Sequence, residues 1–181
     1  MGPPELEQRF EEMYMAHYPA IATYVRRRAG SPDDIADVIA ETFTTAWRRL
    51  NDVPAGDEAR LWLYGVARRV LANHFRAEER RAALALRLRE EITTWTDSVT
   101  GHDTAYQAFK RLSDDDRELL ALVAWEGLTG SEIAKVLGCS RGAARLRLHR
   151  ARKRLAKELA DLDIDLTTYG SRAVSLAEGR S

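Results

Sequence analysis

A single cysteine, Cys139, stands in 181 residues, so the chain forms no internal disulfide and no cysteine-based metal cluster. The four histidines, His17, His74, His102 and His149, lie far apart, with no metal-ligand spacing such as HExxH. No apolar run approaches the ~20 residues that span a bilayer, and the acidic N-terminus lacks a signal peptide's charged and apolar regions. There is no nucleophile–base pairing pattern and no glycine-rich phosphate loop. These absences predict a cytoplasmic protein that is no enzyme, holds no metal or cofactor, and does not insert into membranes. Cys139 itself reads as small packing in a turn.

Nor does one sign of charge prevail, since 28 basic residues face 28 acidic ones. The distribution carries the information. Residues 1–59 hold eleven acids and six bases, a balance of −5, whereas residues 60–90 hold eight arginines against three glutamates, a balance of +5. From Arg141 to Lys157 there are eight bases and no acid. Such a chain offers cationic surfaces to nucleic acid and acidic ones to a protein partner.

The most informative stretch is Leu128 to Leu155. Ser131 is a candidate helix cap ahead of apolar Ile133, Ala134, Val136 and Leu137, and Gly138 is a residue that takes a left-handed stop at little cost. Ser140 can cap a second helix two residues later, which leaves room only for a sharp turn. This is the helix-turn-helix pattern. At about 100° per residue, Ala144, Leu148, Ala151 and Leu155 form one narrow apolar stripe. Gly142, Arg145, Leu146, His149, Arg150 and Lys153 fall opposite, from the end of the helix that meets base edges in such motifs. A solvated helix in a bundle is the plainer reading of the charge alone.

Upstream, Leu6, Phe10, Met13, Tyr14, His17, Ile21, Tyr24 and Val25 keep helical spacing, with Pro19 predicting a break or kink and Gly30 a stop. Asp33 to Leu50 predicts a helix burying Ile35, Val38, Ile39, Phe43, Ala46 and Leu50. Asp34, Asp37, Glu41 and Arg48 lie away from that stripe. An acidic docking face and an ordinary well-formed surface helix fit this pattern equally. Asn51 to Glu58 predicts an exposed loop. A long helix follows, with Leu63, Val66, Ala67, Val70, Leu71 and His74 or Phe75 inward. Arg60, Arg68, Arg69, Asn73, Arg76, Arg80 and Arg81 point outward, with Trp62 and Tyr64 at its start. Cations interleaved with aromatics and an amide suit unstacked single-stranded DNA, although a Trp and a Tyr at helical spacing also suit a core. Ser113 predicts the cap of a helix whose Leu119, Leu120, Leu122, Val123 and Trp125 lie under the helix-turn-helix. The fold expected is all-α: a helical domain over 1–81, a linker over 82–106 with Trp95 as a possible anchor, a helix-turn-helix domain over 107–162, and a tail over 163–181 with a short helix at 173–178.

Three segments resemble the extracytoplasmic-function (ECF) sigma factors of bacterial RNA polymerase. They are DxxDVIAETFTTAW at Asp34 to Trp47, WLYGVARRVLANHFR at Trp62 to Arg76, and GLTGSEIAKVLGCSRGAARLRLHRARKRL at Gly127 to Leu155, within a likeness covering roughly residues 6–160. The resemblance implies a promoter-specificity factor that binds core RNA polymerase and promoter DNA and is held inactive by an anti-sigma protein. It implies polymerase docking by Asp34, Asp37 and Glu41. Minus-ten contacts would come from Asn51, Asp52, Trp62, Arg68, Arg69, Asn73, Arg76 and Arg80, the 51–58 loop capturing a flipped base. Minus-thirty-five contacts would come from Arg141, Gly142, Arg145, Leu146, Arg147, His149, Arg150 and Lys153 in the major groove. The chain departs from the family at Ala40, where Gln is usual, at Ala59, where an aromatic is common, and at Leu146, where Ser or Thr is frequent. The loss of Gln bears on polymerase affinity, and Leu146 on thymine-methyl contact or altered minus-thirty-five preference. The competing reading is a stand-alone helix-turn-helix regulator acting as a dimer without polymerase, and a structural helical bundle is a third.

Overall fold

A computed structural model describes residues 3–88 and 104–161. Among the described residues every regular element is helical: α1 (Pro3–Arg26), α2 (Pro32–Arg48), a 3₁₀ turn (Leu50–Asp52), α3 (Asp57–Leu88), α4 (Thr104–Lys110), α5 (Asp114–Ala124), α6 (Gly130–Leu137) and α7 (Arg141–Asp161). The contacts divide the chain into two compact units, 1–95 and 96–181. Most of the segment expected as a linker, with Trp95, and the whole tail, with its expected helix at 173–178, lie outside the described residues.

In the first unit α1, α2 and α3 pack on one another. Pro19 does not divide α1, which runs as one helix. The N–H that proline lacks would have served the carbonyl four residues back, at Met15, which is exposed and open to water. The helix ends at Arg26, before the expected stop near Gly30, and Arg28 and Ala29 both donate to the Val25 carbonyl to close the turn. Ser31 caps α2, accepting from the Asp34 N–H at 3.1 Å, with Pro32 at the first helical position.

Ile21, Tyr24 and Val25 meet Val38, Phe43 and Ala46, and Leu63, Val66, Ala67, Val70 and Leu71 complete this core. Ile35 and Ile39, expected in the stripe, are half-buried, and Thr42 is fully buried instead. A buried hydroxyl is tolerated there because it donates to the Val38 carbonyl at 2.7 Å. Tyr64, which helical spacing left open between a DNA-facing and a core position, is buried, its ring tilted against Tyr24 at 5.0 Å, with the Arg28 guanidinium 3.6 Å above the Tyr24 ring.

In the second unit α4, α5 and α6 each pack on α7. Ala108, Leu112, Leu119, Leu120, Leu122, Ile133, Ala134 and Val136 surround the stripe of Ala144, Leu148, Ala151, Leu155 and Leu159. Val123 is half-buried, and Trp125, expected in this core, is 46% exposed. It stands at the end of α5, where the chain turns through Gly127 at φ 66°, and its ring lies 6.1 Å from Phe109.

Candidate nucleic-acid interface

The recognition helix α7 is set in place by the turn before it. The cap of α6 is Thr129, not Ser131: the Thr129 hydroxyl accepts from the Glu132 N–H while the Glu132 carboxylate accepts from the Thr129 N–H. That reciprocal pair was readable as Thr-x-x-Glu. Gly138 ends α6 at φ 63°, and the Cys139 N–H donates back to the Ala134 carbonyl at 2.9 Å. Ser140 then opens α7 by accepting from the Ala143 N–H at 3.2 Å.

With Ala144, Leu148 and Ala151 inward, the opposite side of α7 is fixed. Arg141, Gly142, Arg145, Leu146, Arg147, His149, Arg150 and Lys153 are all exposed. The face they form carries cations, an imidazole and one large apolar group, and the segment contributes no carboxylate to repel phosphate. Arg154 is spent elsewhere: its Nη1 donates to both carboxylate oxygens of Asp116, at 2.9 and 2.6 Å. Asp116 is buried at the start of α5. Thirty-eight residues separate these partners, so no local pattern announces the pair.

In the first unit Asp37 and Glu41 are exposed on α2, with Ala40 also exposed beside them. Asp34 is half-buried, and its Oδ1 lies 2.8 Å from His74 Nε2 on α3. The Ser31 hydroxyl and then His74 hold its carboxyl below the usual carboxylate range. Asp34 thus bridges α2 to α3, while Asp37 and Glu41 remain presented to solvent.

The segment after α2 is anchored by buried Leu50 and Val53, the latter's carbonyl accepting from Arg9 Nη2 at 2.8 Å. Asn51 and Asp52 are exposed. Arg49, which sequence reasoning passed over, donates to Asp52 Oδ2 at 2.9 Å and places its guanidinium 5.9 Å from the centre of the Trp62 ring. Its signal was an Arg-x-x-Asp spacing. Asn51, Asp52, Arg49 and half-buried Trp62 therefore gather where α2 gives way to α3.

Along α3, Arg69, Asn73, Arg76 and Arg80 are exposed, while Arg60 and Arg68 are half-buried. The Arg81 side chain lies outside the described residues. Arg69 Nε donates to the Gly65 carbonyl at 3.0 Å, and Arg76 Nη2 to Asn73 Oδ1 at 2.6 Å. Because arginine only donates, this bond fixes the Asn73 amide with its N–H₂ pointing away. His74 is half-buried and Phe75 is 42% exposed, so His74 takes the inward place.

The chain thus carries a helix-turn-helix with a cationic outer face in one unit, and an exposed acidic face and an arginine-rich helix in the other. The Sigma-70 region 2 family matches residues 13–81, and the Sigma-70 region 4 family matches residues 102–155. The chain is 33% identical over 140 residues to the ECF RNA polymerase sigma factor SigC of Mycobacterium tuberculosis, across 75% of this chain and 72% of that one. It belongs to the ECF RNA polymerase sigma factors, which are not enzymes and act in transcription initiation. The structure of CnrH in complex with the cytosolic domain of CnrY covers 86% of this chain and 89% of that one, at 26% identity and a TM-score of 0.54. The sigma factor RpoE, solved with the anti-sigma factor NepR from Bartonella quintana, shares the fold at 22% identity and a TM-score of 0.56, over 83% of this chain and 96% of that one. Among the described residues no helix is long and apolar enough to cross a membrane.

Proposed function

We propose that the two units divide promoter recognition between them on core RNA polymerase in the cytoplasm. A domain over 1–81 docks and holds the minus-ten strand, 82–106 links it to a domain over 107–162, and that domain reads the minus-thirty-five duplex. The observation that carries this reading is the outer face of α7, where Arg145, His149, Arg150 and Lys153 stand exposed opposite a buried Ala/Leu stripe. Asp37 and Glu41 contribute the docking charge, with Asp34 holding α2 against α3 at their base. Arg69, Asn73, Arg76 and Arg80 track the opened strand, Arg68 supports them, and Asn51, Asp52 and Trp62 receive a flipped base by hydrogen bonding and stacking. An anti-sigma protein covering the acidic and basic faces keeps the factor inactive. CnrH and RpoE, each solved with a protein partner, support that regulation.

Run-off transcription with purified core polymerase and a promoter library tests the proposal. New start sites that share an upstream and a minus-ten element are expected, together with co-purification with core. Specific binding to a palindromic duplex without polymerase, with half-sites one helical turn apart, would instead establish the dimeric regulator. Absence of any salt-dependent DNA affinity would leave only a structural bundle.

A further inference from the structure

Among the exposed side chains at the start of α7, one is chemically out of place. Leu146 is 49% exposed, and its neighbours on that face, Arg145, His149 and Arg150, are all polar. The core does not claim it: Leu148, two residues on, is the inward leucine, and Ala144 and Leu148 belong to the buried stripe. A single exposed leucine on most surfaces requires no explanation. This one occupies the N-terminal part of a recognition helix, the part that reaches base edges.

The position one turn earlier sharpens the point. Residue 142 is glycine, and a Cβ placed on it would meet nothing within 4 Å. Helical side chains lean back toward the N-terminus and toward the turn before their own Cα, and the surface on that side of Leu146 is left open by Gly142. The result is an apolar knob beside a gap, flanked by Arg145 on one side and by His149 and Arg150 one turn further on. In the major groove the apolar feature a base pair presents is the C5 methyl of thymine. Guanidinium and imidazole groups read purine edges or phosphates and leave that methyl without a partner.

We infer that Leu146, with the clearance left by Gly142, reads the C5 methyl of one thymine in the minus-thirty-five element. This rests on the assignment of α7 to that element and specifies which group is read there. The test uses the full-length chain bound to core polymerase on a promoter recovered from run-off selection. Each thymine of the upstream element, on either strand, is replaced in turn by deoxyuridine, which removes the methyl and keeps the base pair. One such replacement is expected to weaken binding about fourfold, the worth of one methyl-sized apolar group. With Leu146→Ala the same replacement is expected to cost nothing, while Leu146→Met restores the sensitivity. Leu146 is half in solvent, so the alanine variant opens no core cavity.

The inference is overturned if no deoxyuridine affects binding although changing the base pairs still does, and equally if the loss is the same with and without Leu146. Both outcomes leave the assignment of α7 standing. Loss of all dependence on the upstream element would bring down that assignment together with the inference.

Discussion

Replacing Arg154 with alanine separates the structural cations of α7 from those that face DNA. The Asp116 side chain that Arg154 holds is 7% exposed, whereas Arg154 itself is 59% exposed. An exposed ion pair contributes about 0–1 kcal/mol, and breaking a fully buried one costs about 3–5 kcal/mol. This pair lies between, because one partner is desolvated and the other is not. Asp116 is also in the first turn of α5, behind the Ser113 cap, so free N–H groups and the helix dipole retain part of its stabilisation when the guanidinium is gone. Arg154→Ala should therefore cost about 2 kcal/mol. For a unit the size of 96–181, that corresponds to a fall in Tm of roughly 8–16 °C. Hydrogen exchange of the full-length chain reads the loss directly as weaker protection of α5 and α7 amides. At a temperature where both proteins remain folded, the salt dependence of DNA binding should be unchanged, whereas Arg150→Ala should lower its slope by about one. A stability loss below about 0.5 kcal/mol, in the range of surface substitutions, would mean that Asp116 is effectively solvated. A slope lowered by one would place the Arg154 guanidinium on phosphate and refute the pairing.

Three further perturbations follow from the same geometry. Asp37→Arg with Glu41→Arg should abolish binding to core polymerase and leave the circular dichroism melt unchanged, because both side chains are exposed; an unaltered affinity removes the docking face. Gly138→Ala should cost about 1–2 kcal/mol in denaturant unfolding, since φ is 63° and only the backbone conformation, not space, opposes a Cβ; Gly138→Asn should cost less, and two silent substitutions would mean that the turn relaxes freely. His17 has its pKa lowered from 6.5, first by burial and then by Arg60, with Asp57 opposing. The unfolded chain then binds more protons in the window below pH 6.5, so this contribution is intact above that pH and falls until the folded pKa is passed. His17→Gln should flatten that part of the stability profile, and an unchanged profile would show that His17 titrates as it does in the unfolded chain.

The parts of this fold that follow from short-range periodicity were legible. Ala144, Leu148, Ala151 and Leu155 are buried as their 100° spacing requires, and Gly138 and Ser140 frame the turn as their backbone and capping chemistry predict. What escaped depends on contacts between distant segments or on competition between neighbours. Tyr64 and Trp125 are both aromatics at helical spacing, yet Tyr64 is buried against Tyr24 and Trp125 is left outside at the end of α5. Spacing places a ring on a face but does not say whether another helix covers it. Thr42 entered the core because its hydroxyl found the Val38 carbonyl, a local bond that hydrophobicity does not register. Thr129 outcompeted Ser131 as a cap because Glu132 answers it, which Ser131 lacks at its own third position.

The same distinction governs how the charge of α7 translates into DNA affinity. Eight cations lie between Arg141 and Lys157, and a count alone would allow eight phosphate neutralisations. The apolar stripe fixes the rotation of the helix, however, and thereby decides which cations reach outward. Arg154 borders Ala151 and Leu155 and turns to Asp116, and Arg152 is half-buried. Arg141, Arg145, Arg147, Arg150, Lys153 and Lys157 remain exposed, which leaves six. At a slope of about −0.9 per phosphate neutralised on duplex DNA, the ceiling for α7 falls from roughly −7 to roughly −5. Any of the six that reads a base edge instead of a phosphate lowers that ceiling again, so this helix exchanges nonspecific affinity for selectivity residue by residue. The neutral net charge of the whole chain is compatible with this, because the two acids of α7, Glu158 and Asp161, lie in its last turn, beyond the eight cations.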